Sequence, residues 1–163
     1  KCSSGVYRVG AGQDIEAGRY FFEGSMDEEG YFTVFASNGS SGGYDVKSVF
    51  TYFGNYFADL EEGDLVVFMG PADQANFKPE APYKSGLYHV GTDIPAGAYA
   101  ITVQDEAAAV ADQDSAAYVM NSLNFDGDTI IDTKYVLKGG TQTVTVKDGE
   151  WLELFAAVAT PAE

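Results

Sequence analysis

The sequence predicts an all-β protein made of two tandem antiparallel β-sandwich or barrel-like repeats, and three observations support this fold class. Residues 5–20 recur as residues 86–99, with nine identities among fourteen aligned positions once Ala11-Gly12 is treated as an insertion. Short runs of aromatic and β-branched residues alternate with glycine-rich turns along the chain. The balance of 45% hydrophobic and 21% charged residues is that of a folded protein.

The repeat predicts two domains, residues 1–79 and residues 80–163, each long enough to enclose a small core. Three of the five prolines, Pro71, Pro79 and Pro82, lie near this boundary. Proline cannot donate to a β-ladder, so the segment is typical of an extended connector. The alternative is a single fused sandwich, in which this segment crosses between sheets.

Each repeat opens with a strand in which a polar residue lies between two apolar ones, Tyr7-Arg8-Val9 and Tyr88-His89-Val90, and a glycine follows each strand. Alternation and β-propensity predict further strands in the first repeat at 20–23, 31–36, 48–53, 57–60 and 65–69. The second repeat has predicted strands at 100–103, 118–121, 129–131, 135–137, 143–146 and 151–155. Residues 106–117 are the candidate helix, with a long loop as the alternative.

Turn signals recur at equivalent places in the two repeats. Pro95 presets φ in the turn before the second strand of the second repeat, and Glu16 stands at that position in the first repeat. Segments 60–65 and 146–151 carry Glu62-Gly63 and Asp148-Gly149 between apolar residues. Such pairs tolerate positive φ, so each repeat is predicted to close with a β-hairpin.

Charge and composition exclude several classes of function. Nine basic and 25 acidic residues give a net charge of −16, which repels nucleic acid and anionic membrane surfaces. An uncharged sugar, a cation or a basic protein remains a possible partner. The chain contains no run of 18 apolar residues, so no transmembrane segment is expected. It also lacks a P-loop and a Cys/His cluster, so no cofactor is expected.

A family resemblance rests on the opening Y-x-V-G … D-I-x-A-G-x-Y of both repeats and on the closing V-T-V-K-D-G-x-x-L-x-L at 144–154. These sequences resemble a repeat of surface lipoproteins and membrane-anchored proteins from Gram-positive gut and soil bacteria. The resemblance implies an all-β module that is extracellular and anchored at the cell surface, and it supplies no catalytic residues. Cys2, followed by Ser3-Ser4-Gly5, resembles the lipid-carrying cysteine of a bacterial lipoprotein. The alternative is an inert terminal cysteine.

Two local patterns could carry chemistry. Residues 39–43 satisfy G-x-S-x-G, but they lack the flanking strand and helix of a nucleophile elbow, and His89 is the only histidine. A polar loop is therefore predicted there. Oxygen ligands from Asn124, Asp126, Asp128 and Asp132 resemble a calcium loop without EF-hand spacing. A solvated turn is predicted, and a calcium site is the alternative.

The two repeats differ most in their aromatic content. Residues 1–82 hold 15 of the 23 aromatic residues, and adjacent pairs such as Phe21-Phe22 must point to opposite faces of a strand. Tyrosine suits both sugar stacking and protein interfaces. Two interpretations of the extra rings are open. In one, the rings pack against the other sheet or the other repeat. In the other, they form a ligand-binding face that includes Tyr44, Tyr52 and Tyr56.

These observations predict a non-catalytic extracellular binding or spacer module of a bacterial cell-surface protein, whose ligand is a protein or a glycan. The alternative is a glycan-cleaving enzyme that uses two acidic residues in a cleft between the repeats. A carboxylate with a strongly raised pKa in such a cleft would favour the enzyme. A further hypothesis is that bound calcium stabilises the fold.

Overall fold

The computed structural model describes residues 3–39, 41–70, 72–73, 77–105, 115–123 and 127–162. Within these residues the first half of the chain (3–73) contains strands β1 (Gly5–Arg8), β2 (Gly18–Glu23), β3 (Gly30–Ser37), β4 (Tyr44–Tyr52), β5 (Asn55–Leu60), β6 (Leu65–Phe68) and β7 (Ala72–Asp73). The second half (77–162) contains β8 (Gly86–His89), β9 (Gly97–Val103), β10 (Ser115–Met120), β11 (Ile130–Val136), β12 (Gln142–Val146), β13 (Trp151–Phe155) and β14 (Ala157–Pro161). Gly127–Thr129 forms a single 3-10 turn.

Each half consists of a four-stranded and a three-stranded antiparallel sheet. The first half has the strand orders β1-β6-β3-β4 and β5-β2-β7, and the second half has β8-β13-β10-β11 and β12-β9-β14. The two orders coincide when β8 is matched to β1, β9 to β2, and so on to β14. The prediction of an all-β, antiparallel, sandwich-like protein is therefore confirmed.

Equivalent side chains hold the opening turn in both halves. The backbone NH of Arg8 donates to Asp14 at 2.8 Å, and the NH of His89 donates to Asp93 at 2.7 Å. An aspartate at this position therefore fixes the end of β1 and of β8 in the same way. The sequence identity of the two segments reflects a shared local structure.

Glu16 and Pro95 occupy equivalent positions, and the backbone carbonyl of each accepts a hydrogen bond from a tyrosine. The hydroxyl of Tyr20 donates to the backbone carbonyl of Glu16 at 2.6 Å, and that of Tyr99 donates to the carbonyl of Pro95 at 2.5 Å. Because the carbonyl is the acceptor, the turn tolerates either side chain.

The prediction of two closing hairpins is wrong, because the two strands that flank each turn do not pair with each other. Gly63 (φ 95°) and Gly149 (φ 88°) do lie in tight turns, as the sequence predicts. However, β5 and β6 belong to different sheets, as do β12 and β13, so each turn connects the two layers of a sandwich. The NH of Gly63 instead donates to the carbonyl of Val9 at the end of β1, at 2.9 Å.

Three predicted elements of the second half also need correction. One continuous strand, β11, replaces the two short strands predicted at 129–131 and 135–137. Of the candidate helix at 106–117, residues 106–114 lie outside the described residues and Ser115, Ala116 and Ala117 begin β10. Strand β14 was not predicted, because two alanines and a proline accompany its β-branched residues Val158 and Thr160 and weaken the strand signal.

Two hydrophobic clusters form the core of the described residues. The first is dominated by rings: Tyr20, Phe22, Phe32, Tyr52, Tyr56, Phe57 and Phe68. The second is mostly aliphatic: Ile94, Ile101, Ala117, Val119, Val136, Val144, Val146, Leu152, Leu154, Ala157 and Ala159, with Tyr83, Tyr88 and Tyr99. Leu87, Met120 and Trp151 of the second half pack in the first cluster, and Phe77 packs against both. The halves therefore share buried surface.

Among the described residues, no helix has the length and hydrophobicity needed to cross a membrane.

Candidate binding cleft between the two halves

The structure does not bring Tyr44, Tyr52 and Tyr56 together on one face. Tyr52 and Tyr56 are only 2% and 3% exposed and belong to the first cluster, whereas Tyr44 is exposed. The rings of Tyr52 and Tyr56 lie 5.8 Å apart, and both pack near Phe32. The three tyrosines therefore do not form a common ligand-binding face. The sheet turns the rings of Tyr52 and Tyr56 inward, and they pack in the core.

Tyr52 is locked in place by two glycines and one hydrogen bond. A Cβ atom on Gly24 or Gly30 would lie 2.7 or 2.8 Å from its ring, so both positions need glycine for this close approach. The hydroxyl donates to the carbonyl of Glu23 at 3.2 Å. Burial raises the pKa of Tyr52 to about 12. These contacts are those of a structural ring.

Tyr56 connects the first half to the second through Glu153. The two side chains form a hydrogen bond, and burial together with the nearby carboxylate raises the pKa of Tyr56. Burial also raises the pKa of Glu153 to about 7, although the hydrogen bond from Tyr56 opposes the shift. Glu153 thus sits at the junction of the halves as a carboxyl group that titrates near neutral pH.

Tyr44 lines a shallow surface cleft within the first half, of about 440 Å³. Its neighbours there include Arg8, Gln13 and Glu62. Of the three predicted tyrosines, Tyr44 is therefore the one positioned to contact a ligand. Its cleft receives no residue from the second half.

A second cleft, of about 420 Å³, lies between the halves, and we call it the inter-half cleft. The first half contributes Arg19, Lys47, Asp59 and Glu61. The second half contributes His89, Asn121, Ser122, Leu123, Gly149 and Trp151. Its volume lies within the range of small-molecule sites.

Arg19 and Asp59 form one wall of the inter-half cleft. They are directly opposite on β2 and β5, and the alternation of the strands turns both away from the first cluster. Arg19 Nε donates to Asp59 Oδ1 at 2.7 Å, and Nη2 donates to Oδ2 at 2.9 Å. This bidentate geometry fixes the guanidinium plane. The hydrogen bonds and charge of Asp59 outweigh burial and raise the pKa of Arg19.

His89 and Trp151 form the facing wall. They are directly opposite on β8 and β13, and their rings stack with centroids 4.1 Å apart at an angle of 5°. The Arg19 guanidinium lies 4.9 Å from the centroid of the indole, a cation–π distance. Trp151 is itself only 3% exposed. The buried indole of Trp151 therefore provides a fixed ring surface on which His89 and Arg19 pack.

The imidazole of His89 is kept in its neutral form. Burial lowers its pKa, and the positive charge of Arg19 lowers it further, against the opposing carboxylates of Asp93 and Asp59. At neutral pH the ring therefore offers one nitrogen as a donor and the other as an acceptor.

Lys47 closes the rim of the cleft. Its ammonium lies 2.8 Å from Glu61 and 3.2 Å from the buried carboxylate of Asp64. Asp64 also accepts a hydrogen bond from the backbone NH of Glu61 at 2.9 Å. The carboxylates of Asp59 and Glu61 are thus each held by a cation.

The cleft therefore presents planar, preoriented donors and acceptors beside one ring. Arg19, Asp59 and Asn121 supply planar polar groups, and Ser122 supplies a hydroxyl. Their mutual hydrogen bonds orient Arg19 and Asp59 in the protein alone, which reduces the entropy lost on binding.

Sequence reasoning missed this cleft, although the signal was present in the comparison of the repeats. His89 aligns with Arg8, and Trp151 aligns with Leu65. Arg19 aligns with Ala98. These three residues of the cleft therefore occupy positions at which the two repeats differ.

Within the described residues, no group of three or more His, Cys, Asp or Glu side chains is arranged to hold a metal ion. Asn124 and Asp126 of the calcium hypothesis lie outside the described residues. The same is true of Ser40 in the G-x-S-x-G segment and of Cys2.

The fold and the cleft together define an all-β protein with two sandwich-like halves of the same strand order and a polar site at their junction. In comparisons with protein-family models, with curated proteins and with solved structures, nothing matches the chain.

Proposed function

We propose that this protein is a non-catalytic binding module of a bacterial cell-surface protein and that it holds a neutral glycan in the inter-half cleft. The observation that carries the proposal is the preoriented set of Arg19, Asp59 and His89, drawn from both halves around the buried Trp151. Sugar hydroxyls both donate and accept hydrogen bonds, so they match a site that contains charged, amide and imidazole groups.

The charge of the chain supports a neutral ligand over an anionic one. A net charge of −16 repels polyanions at long range. Within the cleft, Arg19 and Lys47 are already paired with carboxylates. A free anion would have to displace these partners, whereas a hydroxyl can add to the remaining donor and acceptor sites.

A glycan-cleaving enzyme in the same cleft is the weaker proposal. Glycoside hydrolysis needs one protonated carboxyl as the acid and a second carboxylate opposite it. Asp59 and Glu61 both line the cleft as partners of cations. Glu153, whose pKa is raised to about 7, lies two residues beyond Trp151 on β13 and does not line the cleft. The binding function needs no proton donor.

The extracellular, anchored location rests on the repeat resemblance and on Cys2. Expression in a Gram-positive host with a secretion signal tests it. The protein should fractionate with the membrane and be accessible to external protease, and Cys2→Ser should release it into the medium. Equal retention of the Cys2→Ser variant would contradict lipid anchoring through this residue.

Ligand binding is tested by thermal shift against neutral β-glucan, chitin and mannan oligosaccharides. A ligand at about 100 times its Kd stabilises the native state by about 2.7 kcal/mol. We expect His89→Ala and Asn121→Ala to weaken binding at least about tenfold, since each removes a polar group that faces the ligand.

Tyr44→Phe is the matched control, because Tyr44 lines the other cleft. This variant should bind as the unmodified chain does. If His89→Ala binds normally and Tyr44→Phe binds weakly, the ligand site is the cleft of the first half. If no oligosaccharide shifts the midpoint, the glycan proposal is overturned. Appearance of new reducing ends would instead support the enzyme.

A further inference from the structure

The outward surface of the sheet β1-β6-β3-β4 is apolar, and we call it the apolar face. Its outward side chains are Val6, Tyr31, Phe35, Tyr44, Val46, Val49, Leu65, Val67 and Met69, with Thr33, Ser37, Thr51 and Arg8 between them. Val6, Val67, Thr33 and Val49 lie directly opposite one another in a row across the four strands. Val6, Val46 and Val49 are each about 60% exposed.

Charge is almost absent from the apolar face. The chain has 25 acidic residues, yet the outward positions of these strands carry none. Arg8 is their one charged side chain. Surfaces of this kind mark interaction sites, since isolated proteins rarely expose contiguous apolar patches.

The second half shows what covers this face. Leu87, Trp151 and Glu153 of β8 and β13 align with Val6, Leu65 and Val67 of β1 and β6. In the second half the part of this surface on β8 and β13 is covered by the first half. Trp151 packs against Phe57 and under Arg19, two side chains on the outward face of β5 and β2.

The covering residues come from β2 and β5, two strands of a three-stranded sheet. Their counterparts in the second half are β9 and β12, on which the outward Thr143 and Thr145 are exposed in the part of the chain that the structure describes. The outward side chains of this sheet are Ala98, Ala100, Thr102, Thr143, Thr145, Val158 and Thr160, and we call them the alanine-threonine face. The described strands β9, β12 and β14 contain no charged residue.

We propose that copies of this chain associate head to tail, with the alanine-threonine face of one copy docked on the apolar face of the next. This contact repeats between copies the relation that already exists between the halves of one copy. Both faces are free of acidic side chains, so two chains of charge −16 meet where their mutual repulsion is smallest. Since the two faces differ, the contact is heterologous, and an open chain of copies leaves a free face at each end.

The size of the contact sets its strength. The three-stranded alanine-threonine face limits the contact, because three strands about 4.8 Å apart and six residues long give a footprint of about 300 Å² per copy. This is less than half of the roughly 800 Å² per partner of a standard stable interface. Association is therefore weak in dilute solution. It is strengthened when copies share a cell surface or a polypeptide, because their effective concentration is then high.

Sedimentation velocity from about 1 µM to about 1 mM tests the proposal, since interfaces of this size are at the weak end of the range. The average mass of the unmodified chain should increase beyond that of a dimer. It should increase further with added salt, which screens the repulsion between the acidic copies. An ionic contact would weaken under the same conditions.

Two lysine substitutions separate the faces. Val49→Lys places a charge on the apolar face, and Thr143→Lys places one on the alanine-threonine face; both positions are exposed, so the fold should tolerate them. Each should weaken self-association at least about tenfold, because the lysine must be desolvated in the contact. Each also reduces the net negative charge, so a loss cannot come from added repulsion. Ala17→Lys, in the exposed turn before β2, is the control and should associate normally.

Mixing the two variants gives the decisive result. Each retains the face that the other has lost, so a 1:1 mixture should form a dimer that does not grow further. This rescue also proves that both variants are folded. If Thr143→Lys associates normally and only Val49→Lys fails, the contact is a closed dimer of apolar faces and the head-to-tail proposal is wrong. A monomer at every concentration would overturn it as well.

Discussion

The two halves have the same strand order but fill it with different side chains. The first cluster stacks rings, with Phe22 and Phe32 parallel at 4.3 Å, whereas the second uses fully buried alanines such as Ala157 and Ala159. The shared features are the turns and the alternation of the strands. The same topology therefore forms around cores of different composition, because core volume has only to be consistent within each half.

The extra rings of the first half serve the junction as well as the core. Phe22 points into the first cluster, while its neighbour Phe21 packs against Phe57 and Phe77. Phe57 in turn contacts Trp151 of the second half at 5.4 Å. One member of an adjacent aromatic pair thus leaves the core of its own half and packs toward the other half.

The largest expected effect comes from removing a ring of the first cluster. Phe32 is fully buried among Phe22, Tyr52 and Tyr56, so Phe32→Ala should lower the free energy of unfolding by about 3–5 kcal/mol. Because Trp151 packs in the same cluster and is the only tryptophan, its fluorescence should report the change. Denaturant titration followed by fluorescence and by circular dichroism measures it.

Val144→Ala is the counterpart in the second cluster, and we expect a loss of about 1–3 kcal/mol, since fewer methyl groups are removed. If the halves unfold together, each variant shifts its fluorescence and dichroism midpoints by the same amount. If circular dichroism instead shows two transitions and each variant shifts only one of them, the halves 1–79 and 80–163 are independent domains, as the sequence predicts.

A backbone contact at the junction gives the next largest effect. Gly54 has φ 79°, and a Cβ atom there would lie only 1.8 Å from the carbonyl oxygen of Ser85. Gly54→Ala should therefore cost about 3 kcal/mol or more, from backbone strain and from separation of the halves. The midpoint of urea unfolding measures this loss.

Gly39 provides a matched control for the junction. Its φ of 78° is nearly the same, and nothing lies within 4 Å of its Cβ position. Gly39→Ala should cost only about 1 kcal/mol of backbone strain. Equal losses in the two variants would mean that the contact with Ser85 contributes nothing to stability.

The sequence predicted what depends on local chemistry and missed what depends on the pairing of distant strands. Glycine and aspartate positions such as Gly63 and Asp14 predicted the turns, since each acts on backbone a few residues away. The same turn sequence fits both a hairpin and a connection between layers, so the pairing of β5 was wrong. Strand β14 pairs with β9, which is distant in the sequence, and Val158 and Thr160 alone give only a weak strand signal.

The candidate site was predicted only in outline. A cleft between the repeats was one hypothesis, but its residues were not named. Arg19 and Asp59 are 40 positions apart, and only the register of β2 and β5 makes them neighbours. Tyrosine is a common residue of binding surfaces, which is why the sequence predicts Tyr52 and Tyr56 as ligand-binding residues. Both are buried, because the sheet turns their rings inward.

The pH dependence of stability distinguishes the junction from either core. Glu153 has a pKa of about 7 in the folded chain against an ordinary value of 4.5, so the folded state binds its proton more tightly. Its contribution to stability is fully present below pH 4.5 and is lost as the pH rises through 7. The shift corresponds to at most about 3 kcal/mol, and the partial exposure of Glu153 reduces this to about 1–3 kcal/mol.

Glu153→Gln should therefore stabilise the chain at pH 8 by about 1–3 kcal/mol and leave stability at pH 4 little changed, because glutamine stays neutral and can still bond to Tyr56. Urea unfolding at both pH values measures the difference. Tyr56→Phe should have the opposite effect at pH 8, since loss of the hydrogen bond disfavours the ionised carboxyl further. A Glu153→Gln variant that retains the pH dependence of the parent between 4.5 and 7 would contradict this assignment.

The smallest effect is expected at the wall of the inter-half cleft. Arg19 and Asp59 are about half exposed, so their ion pair contributes at most about 1 kcal/mol, and the cation–π contact with Trp151 adds about 0.5–1 kcal/mol. A double-mutant cycle of Arg19→Ala and Asp59→Ala should give a coupling energy below about 1 kcal/mol that decreases with salt. Ala98 stands at the position equivalent to Arg19, so the second half already forms the same sheet without this pair. A coupling well above that value would assign the pair to stability, whereas a small coupling combined with weakened glycan binding would assign it to recognition.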